Sequence, residues 1–152
     1  MRKSELEITD RAEIEEILRQ ATVVHVGMAD AGRPYVVPMN FGYAGGCLYL
    51  HSGAEGRKID VLKRNPLVCF EVDANVEVVP GKAPCRFGMK YRSVIGYGKA
   101  TFIEDAQGKI EAFNVMMPKF RPGPYEYGED PLARAVVIRI DIDSMTGKRA
   151  GF

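Results

Sequence analysis

Three extended runs follow one another in this chain with connections too short to hold a helix. Thr22 to Ala29 is rich in β-branched residues, Asp30-Ala31-Gly32-Arg33 turns the chain, and Pro34 to Tyr43 runs on as a second extended segment. Ala44-Gly45-Gly46 turns it again into Cys47-Leu48-Tyr49-Leu50-His51. A connection of three or four residues joins only antiparallel neighbours, because a parallel pair needs a crossover of a dozen or more. The chain is therefore built from hairpins, and a doubly wound parallel sheet is excluded.

The remaining elements fit around that sheet. Ile14, Ile17, Leu18 and Ala21 recur at helical spacing, which predicts a helix from Asp10 to Gln20 capped by Thr9 or Asp10, with Asp10-x-x-Glu13 as a capping box. Arg57 to Arg64 carries Ile59, Val61 and Leu62 for a short helix ended by Asn65-Pro66. Leu67 to Asp73 reads as a strand, residues 74 to 92 as a long connection, and Ser93 to Ile103 as a strand whose Gly96 and Gly98 allow a bend at a barrel corner. Gln107 to Met117 is a helix stopped by Pro118, with Met116 and Met117 assigned to packing; an irregular stretch then leads to a last strand from Ala135 to Asp143. About six strands and three helices result, and a small antiparallel β-barrel with peripheral helices is the expected fold, because closing the sheet removes its edges.

A length of 152 residues suits one domain, residues 1 to 152, which buries roughly 70% of its unfolded surface. No run approaches a membrane span and the charged opening Met1 to Glu7 is unlike a signal peptide, so the expected compartment is the cytoplasm. Cys47, Cys69 and Cys85 are odd in number and widely spaced, which predicts reduced, structural thiols. Several enzyme classes lack their residues. No Gly-x-Gly-x-x-Gly opens a helix, Ser93 stands where a phosphate-binding loop ending at Gly98-Lys99 would need glycine, and no Gly-x-Ser-x-Gly elbow exists. The two histidines, His25 and His51, make no His-Glu-x-x-His, so no metal site is expected; His25, amid valines, reads as a core or interface histidine.

The informative segment is His51-Ser52-Gly53-Ala54-Glu55-Gly56-Arg57-Lys58. A helix N-terminus is partially positive, so two cations in its first turn are unfavourable unless an anion sits there. A phosphate would accept hydrogen bonds from the Ser52 hydroxyl, free backbone N–H groups and both side chains. The plainer alternative is that Arg57 and Lys58 solvate an outer helix face. From Gly81 to Lys99 five basic residues, Lys82, Arg86, Lys90, Arg92 and Lys99, occur with no acidic one. With a net charge of only +1, this local surplus suits one small phosphorylated ligand better than nucleic acid. RNA stacked on Phe87, Tyr91 and Tyr97 is the remote alternative.

Taken in order, Val36-Val37-Pro38-Met39-Asn40-Phe41, Leu48-Tyr49-Leu50-His51-Ser52, Gly56-Arg57-Lys58, Asn65-Pro66 and Arg92-Ser93-Val94-Ile95-Gly96-Tyr97-Gly98-Lys99-Ala100 resemble the pyridoxamine 5'-phosphate oxidase-like FMN-binding split barrels, and within them the nitroimidazole-reductase (Nim) branch. The resemblance extends over roughly residues 8 to 149. It implies an antiparallel split-barrel homodimer with FMN at the subunit interface. Arg57, Lys58 and Ser52 would hold the phosphate, and Pro38, Met39, Asn40 and Phe41 would lie against the isoalloxazine through backbone groups. Arg92 and Ser93 would contact flavin, reaching across the dimer, and His51 would be the residue beside the ring for proton delivery or substrate contact. The chain departs from pyridoxamine phosphate oxidases at Val36 and Phe41, where they carry Arg and Lys, and at His51-Ser52, where they carry Tyr-Thr; their own oxidase activity is therefore not expected. The implied activity is an FMN-dependent oxidoreductase passing electrons to a small nitroaromatic or quinone-like acceptor. The alternative is a non-catalytic carrier of flavin or haem.

Overall fold

The computed structural model describes residues 4–152. Its strands are β1 (Glu7–Ile8), β2 (Val23–Asp30), β3 (Arg33–Ala44), β4 (Cys47–Ser52), β5 (Leu67–Val79), β6 (Gly88–Ile103) and β7 (Val136–Ala150). They form one sheet in the order β1-β7-β4-β3-β2-β5-β6, and β6 also pairs with β7, so the sheet closes on itself. Every pairing is antiparallel. The expected mainly β barrel with peripheral helices is what the chain forms.

Inward residues of alternating strands fill the barrel: Val24, Phe41, Leu48, Leu50, Phe70, Val94 and Ile140 are all buried. Helix α1 (Arg11–Gln20) adds Ile14, Ile17 and Leu18 to this core, and α2 (Arg57–Arg64) adds Ile59, Val61 and Leu62. Helix α3 (Ala106–Met116) lies outside the barrel, where Ala112 and Met116 cover the outward Val137. At the glycines of β6 its pairing with β7 shifts register between Tyr97 and Gly98, the unmatched residue, Asp143, lying on β7. A Cβ at Gly96 would overlap the Phe70 ring, and one at Gly98 would overlap the Asp141 carbonyl, so only glycine lets β7 approach there.

Four sequence expectations change. Residues 74 to 92 are not a connection: β5 and β6 continue as a two-stranded arm, pairing Glu77 with Lys90 and Val79 with Gly88 beyond a bulge at Asn75. Val76, Val78, Phe87 and Met89 on this arm are exposed, and with neither face buried the arm has no burial period to read. The last strand runs seven residues past Asp143, to Ala150, because its second half pairs with β6 and β1. A short helix, α4 (Glu129–Arg134), occupies part of the stretch read as irregular. Asp10 caps α1 by accepting from Ala12 N at 2.9 Å, but Glu13 does not close a capping box; its carboxylate binds Arg149 at 2.8 Å.

All three cysteines are free thiols. Burial, reinforced by the Asp141 carboxylate that accepts from Cys47 Sγ at 3.4 Å, pushes the Cys47 thiol pKa upward. No helix among the described residues is long and apolar enough to cross a membrane.

Candidate functional site

Strand β4 ends at Ser52, and the next four residues, Gly53 to Gly56, are all exposed. Ser52 Oγ is buried and has no hydrogen-bond partner among the described residues. Leaving such a hydroxyl unsatisfied costs about 1–3 kcal/mol. Gly56 supplies the N-cap of α2 at φ 132°, a conformation reserved for glycine, and no side chain caps the helix. The first intrahelical donors are Ile59 and Asp60, both to Gly56 O, so the amides of Arg57 and Lys58 are unpaired helix-end donors. Lys58 makes no ion pair with any described residue. An orphaned hydroxyl, two open amides and an unpaired ammonium thus fall within residues 52 to 58, the segment that leads into one uncapped helix, a donor set that fits a phosphate.

Arg57 is less free than its position in the sequence implies. Its Nε is 3.2 Å from Asp30 Oδ2, and its guanidinium stacks over the Tyr35 ring at 4.5 Å. Arg64 holds the other oxygen of Asp30 at 2.8 Å, and together the two arginines draw the Asp30 pKa below its usual value. Arg57 therefore reaches an anion only by sharing or leaving Asp30.

The other predicted residues fall on two faces. On β3, Met39 and Phe41 point into the core, whereas Pro38 and Asn40 point outward, so the segment offers any ligand two side chains and its backbone. Pro38 stands opposite His25, which is opposite Glu71, which is opposite Ile95. His25 is not a core residue: it lies on this outer face, with Nδ1 3.2 Å from Glu71 Oε2. Ser93 shares the face, two residues before Ile95. Val23, Val36, Ile95 and Tyr97 expose 40%, 60%, 45% and 58% of their surface there. His51 is outward on β4, its ring 5.7 Å from that of Phe113 on α3.

Arg92 and Ser93 are not brought to the Ser52 loop within one chain. Ser52 pairs with Val136, and the neighbouring Val137 pairs with Ile103, at the opposite end of β6 from Ser93. Ten residues of strand, 93 to 103, span roughly 33 Å. Arg92 instead lies 3.8 Å from Glu13, stacks on Phe152 at 4.1 Å and leaves its buried Nε without a hydrogen bond. The basic run from Gly81 to Lys99 is likewise spread from the arm tip to the Leu67 end of β6 rather than gathered into one patch.

Two features escaped the sequence reading. Lys119, in the 3-10 turn after α3, donates to Leu18 O at 2.9 Å and to Ala21 O, and its Nζ lies 3.5 Å from the Phe41 ring centroid. Burial draws its pKa down to about 8. Phe113, Tyr125, Tyr127 and Leu132 line an apolar cavity of about 400 Å³ with Arg121 at its wall; His51 does not line it but packs on Phe113, which does. Tyr127 is fixed by donating to Asn114 Oδ1 at 2.9 Å and by the Phe113 ring 5.6 Å away. The only signal for this cavity is the density of aromatics in residues 113 to 127, which periodicity does not assign.

Comparison with known proteins gives consistent matches. The family model for pyridoxamine 5'-phosphate oxidase matches residues 10–149. A candidate 5-nitroimidazole antibiotic resistance protein of Bacteroides thetaiotaomicron has a similar structure, with a TM-score of 0.85 and 39% identity over 95% of this chain and 86% of that one. A FAD-binding protein of Mesorhizobium loti superimposes with a TM-score of 0.70 and 26% identity over 93% of this chain and 96% of its own. The flavocytochrome Anf3 of Azotobacter vinelandii shares the fold, with a TM-score of 0.85 and 24% identity over 100% of this chain and 72% of that one. No curated protein matches the sequence.

Proposed function

The chain belongs to the pyridoxamine 5'-phosphate oxidase family, on its nitroimidazole-resistance-like branch, and from that membership and the loop geometry we propose that it is a flavoprotein oxidoreductase reducing a small, flat acceptor such as a nitroaromatic or quinone-like compound. The observation that carries the flavin reading is the buried, unpartnered Ser52 hydroxyl at the start of the loop that leads to the uncapped N-terminus of α2. In this reading the phosphate of the FMN moiety accepts from Ser52, from the Arg57 and Lys58 amides and from the Lys58 ammonium, and Arg57 joins when it releases Asp30. Flavin, when bound, supplies the electron transfer. The protein's own groups bind, orient and exclude water. Pro38 and Asn40 present the outer edge of β3 to the ring, and His51 stands within reach of the aromatic cavity to position an acceptor or carry a proton.

The acceptor class is supported by the aromatic cavity that Phe113 separates from His51: its Phe113, Tyr125 and Tyr127 rings suit a planar aromatic guest. A homodimer completes the site: Arg92 and Ser93 lie too far along β6 to join the loop of their own subunit, and the apolar outer face that carries Ser93 would seat a second copy.

The test is the visible spectrum of freshly purified protein, followed by turnover. A yellow protein releasing flavin on denaturation, reduced by NAD(P)H and reoxidised by a nitro compound faster than free flavin, is the expected result. Colourless protein that takes up no added flavin defeats the proposal. Bound flavin that reoxidises no faster than free flavin would mark a carrier.

A further inference from the structure

Lys109 is a buried cation that the proposed chemistry does not use. It lies on α3 at 8% exposure, and its Nζ donates to Leu132 O and Ala133 O, both at 3.3 Å. Those carbonyls belong to the last turn of α4, where a cation is favourable. They engage two of the three ammonium protons and leave one without a partner among the described residues. No carboxylate among the described residues lies within ion-pair distance. Burying a charge with no counter-charge is costly, the helix-end carbonyls offset part of that cost, and an opposite charge would offset more.

Lys109 lines a cavity of about 460 Å³, within the range of small-molecule sites. Lys63 from α2 and Arg134 from α4 line it too, and neither forms an ion pair with a described residue. Glu104 is the single carboxylate on the wall, so three cations face one anion. Between these charges the walls are apolar, formed by Ile59, Phe102, Ile103 and Val136. The cavity also reaches the phosphate loop: Ala54 lines it, and Val136 is the strand partner of Ser52.

A cationic rim around an apolar slot suits a ligand with a flat base and an anionic chain. We propose that this cavity binds an adenosine diphosphate moiety, its α-phosphate on Lys63, Lys109 and Arg134 and its base against the apolar wall. Its adjacency to the Ser52 loop makes the ADP half of FAD the natural source, the β-phosphate being the FMN phosphate held at that loop. That part rests on the flavin reading above; the anion site itself does not. The other source of the same chemistry is the ADP half of a nicotinamide dinucleotide donor.

Lys109 ties α3 to α4, so the test uses the exposed Lys63→Ala and Arg134→Ala, checked for unchanged melting. Wild type and variants are titrated with FMN, FAD and ADP. With FAD as the source, FAD binds at least tenfold tighter than FMN, ADP competes with that advantage, and each variant loses about tenfold for FAD and ADP while FMN is unaffected. Equal affinity for FMN and FAD, with ADP binding lost in the variants and relieved by NADH, keeps the site and assigns it to the donor. ADP binding without any flavin binding would reject the flavoprotein reading and keep this site. No ADP binding and no preference for FAD, or affinities unchanged in both variants, overturns the proposal.

Discussion

At the scale of single residues, the phosphate loop makes predictions that separate binding from stability. Ser52 Oγ is buried without a partner, so Ser52→Ala removes an unsatisfied group from the flavin-free protein. Its stability is expected to hold or rise by up to about 1 kcal/mol, while flavin binding weakens by a similar amount. Melting curves and flavin titrations on the same preparations check both signs, and a destabilised variant would mean the hydroxyl is already satisfied. Lys58 has no competing carboxylate among the described residues, whereas Arg57 is held by Asp30 at 3.2 Å. Lys58→Ala is therefore expected to cost about 1.5–3 kcal/mol of flavin affinity, the range of hydrogen bonds to charged groups, and Arg57→Ala less. Equal losses in a direct titration would show that Arg57 leaves Asp30 freely.

Between elements, Lys119 joins the turn after α3 to the C-terminus of α1 by donating to Leu18 O and Ala21 O. Its folded-state pKa, drawn by burial to about 8, lies below the ordinary lysine value of 10.5. Above pH 8 the folded chain has released a proton that the unfolded chain still binds, so this group makes stability rise with pH up to about 10.5. Denaturation midpoints of wild type and Lys119→Met across that window check the sign: the wild-type rise should flatten in the variant, and parallel curves would show that Lys119 titrates normally. No periodicity announces such a contact, because 98 residues separate its partners Lys119 and Ala21. Elements with one buried face were legible for the opposite reason: α2 runs from Arg57 to Arg64 as its Ile59, Val61 and Leu62 spacing predicts. The arm made by β5 and β6 buries neither face and gave no such pattern. The Ser52 loop was legible through the unusual placing of cations at a helix start, while the aromatic cavity and Lys109 depend on how α3, α4 and β7 pack in space.

Across the whole molecule, the separation of Arg92 and Ser93 from Lys58 and the apolar outer face point to the same arrangement. Val36, Ile95 and Tyr97 lie on the strands that also present Pro38, His25 and Ser93, so a second copy seated there would cover apolar surface and bring new side chains to the flavin. Wild type is expected to be a dimer by light scattering, and Tyr97→Asp a folded monomer that has lost flavin; a monomeric wild type would remove the basis for a shared site. The sharing itself is read from mixed dimers. If each site takes Lys58 from one subunit and Arg92 from the other, a heterodimer of Lys58→Ala and Arg92→Ala has one intact site and one doubly defective site. Differently tagged subunits, co-expressed and purified as heterodimers, should then bind about half of the wild-type flavin at wild-type affinity, although each homodimer binds weakly. If both residues serve the site of their own chain, each heterodimer site carries one defect, and no wild-type fraction appears in the titration.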